Sequence, residues 1–69
     1  MRPGLKRIQA CQARPGMILC FPNARDDIRI EKVNIRRDGD VVLTVGVHYP
    51  REEWRGELEL IWIDELKSR

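Results

Sequence analysis

Cys11, Cys20 and His48 are the side chains best suited to nucleophilic or metal chemistry in this chain. A thiol activated by an imidazole is the usual cysteine nucleophile, so Cys11 or Cys20 with His48 forms a formal pair. Cys20, however, stands in the apolar run "MILCF", where a thiol packs rather than reacts. Strand alternation places His48 on an outward face. The spacings among the three residues fit no C-x-x-C ligand pattern, so no metal site is assigned. Ser68 is the sole serine and lies in the last residues, which leaves no Ser-His-Asp arrangement. Asp26-Asp27 and Glu52-Glu53 are adjacent carboxylates, and neighbours in sequence rarely converge on one metal or one glycosidic bond. No glycine-rich phosphate loop is present. The chain thus reads as non-enzymatic, with no catalytic residue, no cofactor and no small-molecule substrate. A cysteine-dependent or acid–base enzyme is the weaker alternative.

Binding is better represented. Arg25, Arg29, Lys32, Arg36, Arg37, Arg51 and Arg55 are positioned to form a basic band, with Trp54 or Tyr49 as a stacking surface. The plainer reading pairs these cations with Glu31, Asp40, Glu52, Glu53 and Glu57 across strands. The 13 Lys and Arg residues against 11 Asp and Glu leave a formal charge of only +2, with the signs interspersed. That balance favours the plainer reading and weakens a nucleic-acid role. Trp54 stands alone amid charges and either covers one end of the fold or anchors a contact. In the doubly apolar run "LIWI", Trp62 shares parity with Leu58 and Leu60 and is assigned to the core. Ile61 and Ile63, on the other face, are the candidates for self-association.

The elements that would position these groups are strands, because apolar residues recur with period two. "LKRIQACQ" fits a helical face through Leu5, Ile8 and Cys11 and fits an extended segment as well, and the extended form is preferred. Pro15-Gly16 suits a type II turn that opens a strand over Met17–Phe21, apolar on both faces and ended by Pro22 and Asn23. This strand should run through the middle of the fold. After the loop "NARDD", the apolar phase of "IRIEKVNIRR" slips at Glu31-Lys32, the mark of a β-bulge or sharp bend. "DVVLTVGVHY" carries Val41, Leu43, Val45, Val47 and Tyr49 on one face. "PREEWRG" reads as a loop before the final strand "ELELIWID". "DELKSR" has the length of one helical turn, with Asp64 as its cap, Leu66 tucked beneath the fold and a frayed end.

The turn between the two best strands sets which face is buried. A two-residue Asp38-Gly39 loop would set Asn34 against Leu43, polar against core. A three-residue loop of Arg37, Asp38 and Gly39, with Gly39 in a G1 bulge, pairs Ile35 with Val41 and Val33 with Leu43. The apolar pattern selects the bulged hairpin, with Lys32, Asn34 and Arg36 outward beside Val42 and Thr44.

Sixty-nine residues make one domain, 1–69, with a core expected over 13–66. No stretch is long and apolar enough to span a bilayer, no apolar leader is seen, and free thiols in a cytoplasmic protein are expected. The expected class is all-β, a strongly bent antiparallel barrel of about five strands. "RPGM" followed by "IRIEKVNIRRDGDVVLTV" resembles the small SH3-like barrels, such as KOW-type and translation-factor barrels and short proteins of bacteria and their phages, over residues 13–66. The resemblance implies binding of RNA, DNA or a protein segment rather than catalysis. The expected function is an interaction module for a protein partner or a second copy. Nucleic-acid binding by a basic hairpin face is the alternative, and a small regulator or inhibitor of another protein is the next.

Overall fold

The computed structural model describes residues 3–21 and 27–68. It is all-β: strands β1 (Leu5–Gln9), β2 (Ile18–Cys20), β3 (Ile28–Ile35), β4 (Asp40–Val45), β5 (Arg51–Gly56) and β6 (Leu60–Asp64), with one 3-10 turn at Ala10–Gln12. They form one antiparallel sheet in the order β1-β6-β2-β3-β4-β5. The backbone ladder is therefore open, with β1 and β5 as its edges, where five strands closed into a barrel were expected. The extra strand is β5, in the stretch "REEWRG" read as a loop. Its residues carry charges on both faces, so no hydrophobic alternation marks it, and its six residues pair with β4 from Val45↔Arg51 to Asp40↔Gly56.

β2 lies between β6 and β3, in the middle of the sheet as expected. The turn before it is closed by Met17 N–H donating to Arg14 O at 3.2 Å. Residues 5–9 are extended and pair with β6, and the chain then tightens into the 3-10 turn, where Gln9 N–H donates to Gln12 Oε1. The core consists of Ala10, Ala13, Leu19, Ile30, Val41, Leu43, Val45, Ile61 and Ile63, with Ile8, Met17, Phe21, Ile28 and Val33 packed against it. Ile8 and Ala10 extend it towards the N-terminus beyond the expected limit at residue 13. Pro22, Asn23, Arg25 and Asp26, including the expected end of β2, lie outside the described residues.

The β3–β4 hairpin has the bulged register. Ile35 pairs with Val41 and Val33 with Leu43, and the ladder shifts between Ile30 and Lys32, at the phase slip in the sequence. Arg36 N–H donates to Asp40 O at 2.8 Å, and Gly39, at φ +91°, supplies the conformation that a G1 bulge requires.

Several burial assignments are reversed. Ile61 and Ile63 are core, while Leu58 and Leu60 are exposed and Trp62 is half-buried, because β1 and β2 present Ile8 and Leu19 to the odd-numbered face of β6. Ile61 and Ile63 are thus consumed by the fold and offer no self-association surface. β4 ends at Val45, since Gly46 at φ +93° turns the chain away, and Val47 is exposed rather than continuing the core face, with Tyr49 exposed beyond it. Ile35 is exposed near the hairpin tip, whereas Val42, on the outward face, is buried.

The C-terminal residues form a single turn, as expected, in which Asp64 Oδ1 accepts Lys67 N–H at 3.0 Å and Ser68 N–H donates to Asp64 O. Leu66 is exposed instead of tucked in. Ser68 is fastened rather than frayed: its hydroxyl donates to Asp64 O at 2.6 Å and accepts Ile18 N–H at 2.9 Å. No helix among the described residues is long and apolar enough to cross a membrane.

Candidate interaction surface

The expected basic band divides between two faces, because alternate residues of β5 point to opposite sides. Glu52 and Trp54 lie opposite Thr44 and Val42, on the outward face with Lys32 and Asn34 of β3. Arg51, Glu53 and Arg55 lie opposite Val45, Leu43 and Val41, on the core side. There Glu53 sits between two arginines, 3.1 Å from Arg51 Nε and 3.5 Å from Arg55 Nη1, and Arg55 Nε reaches Glu59 at 3.3 Å. Arg51 also lies 6.0 Å from the Phe21 ring centre. Arg51 and Arg55 therefore lie on the opposite side of the sheet from Lys32 and Trp54 and do not extend the outward basic surface.

Arg29 pairs with Glu31 at 3.6 Å and Arg36 with Asp38 at 3.3 Å. Among the described residues, Lys32 and Arg37 have no carboxylate within ion-pair distance. Arg29, Arg36, Arg51 and Arg55 do pair with acids, but with residues two or four positions along the chain rather than across strands. Of the acids expected to take part, only Glu31 and Glu53 do so among the described residues. Asp38 Oδ1 accepts Asp40 N–H at 3.2 Å. That backbone bond, and then Arg36, holds the Asp38 carboxyl below the usual aspartate value.

What the fold does assemble is a platform around Trp54. Trp54 is 48% exposed, its cross-strand neighbour Val42 is 5% exposed, and the Arg36 guanidinium lies 5.0 Å from the Trp54 ring centre. Trp54 stands half-exposed over the outer face of the sheet, opposite Val42. Asn34 flanks Val42 on the other side. Tyr49 is 90% exposed, in the turn beyond β4, and is not part of the Trp54 stack. A second stack, Arg7 on Trp62 at 5.0 Å, lies on the outer face of β1–β6. Sequence reasoning missed Arg7, whose signal was its place opposite Trp62 once β1 is extended.

The residues weighed for chemistry are dispersed. His48 is exposed beyond the end of β4, Cys11 is half-buried within the 3-10 turn, and Cys20 is buried in β2 with its thiol directed at Ile18 O at 3.8 Å. Cys11 and Cys20 are not joined in a disulfide. Glu52 and Glu53 fall on opposite faces of β5. One cluster was not foreseen: the Cys20 thiol and the Asp27 and Asp64 carboxylates lie within 4.8 Å of one another. A divalent cation accepts such donors, but Lys67 already serves them, its ammonium 3.0 Å from Asp27 Oδ2 and its amide on Asp64 Oδ1. The cluster fastens the C-terminal turn against the start of β3. A shallow groove of about 500 Å³ between β1, β6 and that turn has Ile8, Met17 and Ile63 as its apolar lining, with Lys6 and Glu65 at its rim.

No family model, no curated protein and no solved structure matches this chain. The functional reading rests on residues and geometry.

Proposed function

We propose that this chain is a non-enzymatic interaction module, a small SH3-like barrel in the cytoplasm, whose contact surface is the outward face of β3–β5 and whose ligand is a segment of another protein. The observation that carries this reading is the Trp54–Arg36 stack over buried Val42. Tryptophan and arginine dominate the contact energy of protein interfaces, because each presents a large, rigid surface with polar function at its rim. Asn34 and Thr44 add hydrogen-bonding groups beside the ring. The barrel reading is supported by a common concavity in which Arg55 of β5 meets Phe21, Leu60 and Trp62, so the sheet curls enough to bring β5 beside β2 and β6.

Nucleic acid is the second reading, favoured by Lys32 and Arg37. Arg29, Arg51 and Arg55 are each held by a carboxylate, which reduces the cations available to displace counterions from phosphate. Two measurements separate the readings. A photo-reactive residue at Thr44 should trap a protein, and the Arg36→Glu, Arg37→Glu double variant should lose that adduct while keeping its circular dichroism and melting profile. Titration of Trp emission with random single-stranded DNA at rising salt should show no binding. Steeply salt-dependent quenching would instead support the nucleic-acid reading. Absence of any Thr44 adduct would remove this face from consideration, and survival of the adduct in the double variant would remove Arg36 and Arg37 from the contact.

A further inference from the structure

β5 is an edge, and its backbone orientation follows from the hairpin. Arg36 N–H donates to Asp40 O, so Asp40 and Val42 turn their backbone groups to β3, while Val41, Leu43 and Val45 turn theirs to β5. Their partners Arg55, Glu53 and Arg51 face β4, which leaves the N–H and C=O of Glu52 and Trp54 directed at the free edge. The Arg55 guanidinium confirms the direction by donating to Trp54 O at 2.8 Å. Among the described residues, no other strand bonds to this edge. Along it Trp54 O accepts only the Arg55 side chain, and Gly56 O accepts Glu59 N–H in the following turn. No backbone bond among the described residues engages the N–H and C=O of Glu52 or the N–H of Trp54. Such an edge is a template for a further strand.

Charge selects the occupant. Two copies related by a two-fold axis normal to the sheet pair residue with residue about a centre. Centred on Trp54, the pairing sets Glu53 opposite Arg55 of the second copy, Arg55 opposite its Glu53, Glu52 opposite Gly56, and Arg51 opposite Glu57. Both charged pairs are of opposite sign. Moving the centre to Glu53 sets Glu53 against Glu53 and Arg51 against Arg55, and a centre at Glu52 or Arg55 sets that residue against itself. β1, the other edge, carries only Lys6 and Arg7 and offers no opposite charges to a second β1. We propose that this protein self-associates by antiparallel addition of β5 to β5 of a second copy, centred on Trp54.

In the free chain, Arg55 blunts the edge through its bonds to Trp54 O and Glu53. On association, Trp54 O accepts the Trp54 N–H of the second copy, and each Arg55 turns to the Glu53 opposite. Because partners are exchanged rather than gained, the net stabilisation is small and the dimer forms only at high concentration. Both Trp54 rings then lie on the same face of a continuous sheet. The inference needs only the β5 edge and does not depend on the proposed protein ligand.

Analytical ultracentrifugation of the full chain over a range of concentrations tests it. The expected result is a shift towards dimer mass as concentration rises. Glu53→Arg and Arg55→Glu should each weaken the dimer about tenfold, and the double charge exchange should restore it. Glu52→Pro removes a donor that faces only the free edge, so it should abolish the dimer while the far-ultraviolet spectrum stays unchanged. A strict monomer at every concentration would overturn the proposal. So would a dimer that survives Glu52→Pro, or one that the double exchange fails to restore.

Discussion

Gly39 and Gly46 both hold φ near +90°, yet their surroundings differ. A Cβ at Gly39 meets nothing within 4 Å, whereas at Gly46 it stands 2.8 Å from Tyr49 O. Gly39→Ala should therefore cost only the backbone penalty of a positive φ, about 1–2 kcal/mol. Gly46→Ala adds a backbone clash and should cost more, and chemical denaturation of the two variants checks the order. Asp38 makes a separate prediction. Its carboxyl is held below the ordinary aspartate value by the Asp40 amide and then by Arg36, so the ionised form is favoured in the folded hairpin. The associated stability is fully present above the ordinary aspartate value and is lost as the pH falls through the lowered folded value. A carboxyl chemical-shift titration should place the Asp38 transition below that of an unfolded aspartate, with the Asp40 amide shift following it.

At the scale of elements, the β3–β4 hairpin was legible because a buried face punishes a one-residue slip, and this made the loop length readable from the apolar pattern. β5 was not legible. An edge strand needs only one ladder and tolerates charge on both faces, so nothing apolar reports it. The face of β6 was misread for a related reason: "LELIWI" is apolar at consecutive positions, and which parity is buried depends on what β1 and β2 bring against it. The C-terminal turn was foreseen as a capped turn, but its anchorage was not. Ser68 accepts the Ile18 amide at the start of β2 across 50 residues of sequence. Ser68→Ala leaves that amide without its partner and should destabilise the fold by about 1–3 kcal/mol, with faster hydrogen exchange at Ile18.

On the scale of the whole molecule, a chain of this size has a stability of roughly 3–10 kcal/mol. Leu43 is fully buried in the central ladder, and Leu43→Ala should remove about 2–5 kcal/mol. That loss is a large share of the total, so the variant should be partly unfolded at 37 °C by circular dichroism. The surface carries ion pairs at 3.0–3.7 Å. Among the described residues Arg36, Arg7 and Arg51 lie 5.0–6.0 Å from the ring centres of Trp54, Trp62 and Phe21, rings that the small sheet leaves partly exposed.

The sequence by itself determined the all-β class, the Pro15-Gly16 turn, the bulge near Glu31 and the register of the Gly39 hairpin. Each depends on local backbone preference or on period-two alternation, which act between residues close in the chain. Only the tertiary structure decided that β5 is a strand, that Ile61 and Ile63 rather than Leu60 and Trp62 enter the core, and that the basic band divides between two faces. Those outcomes depend on which strand lies beside which, and strand neighbours such as β1 and β6 are brought together only when the whole chain has packed.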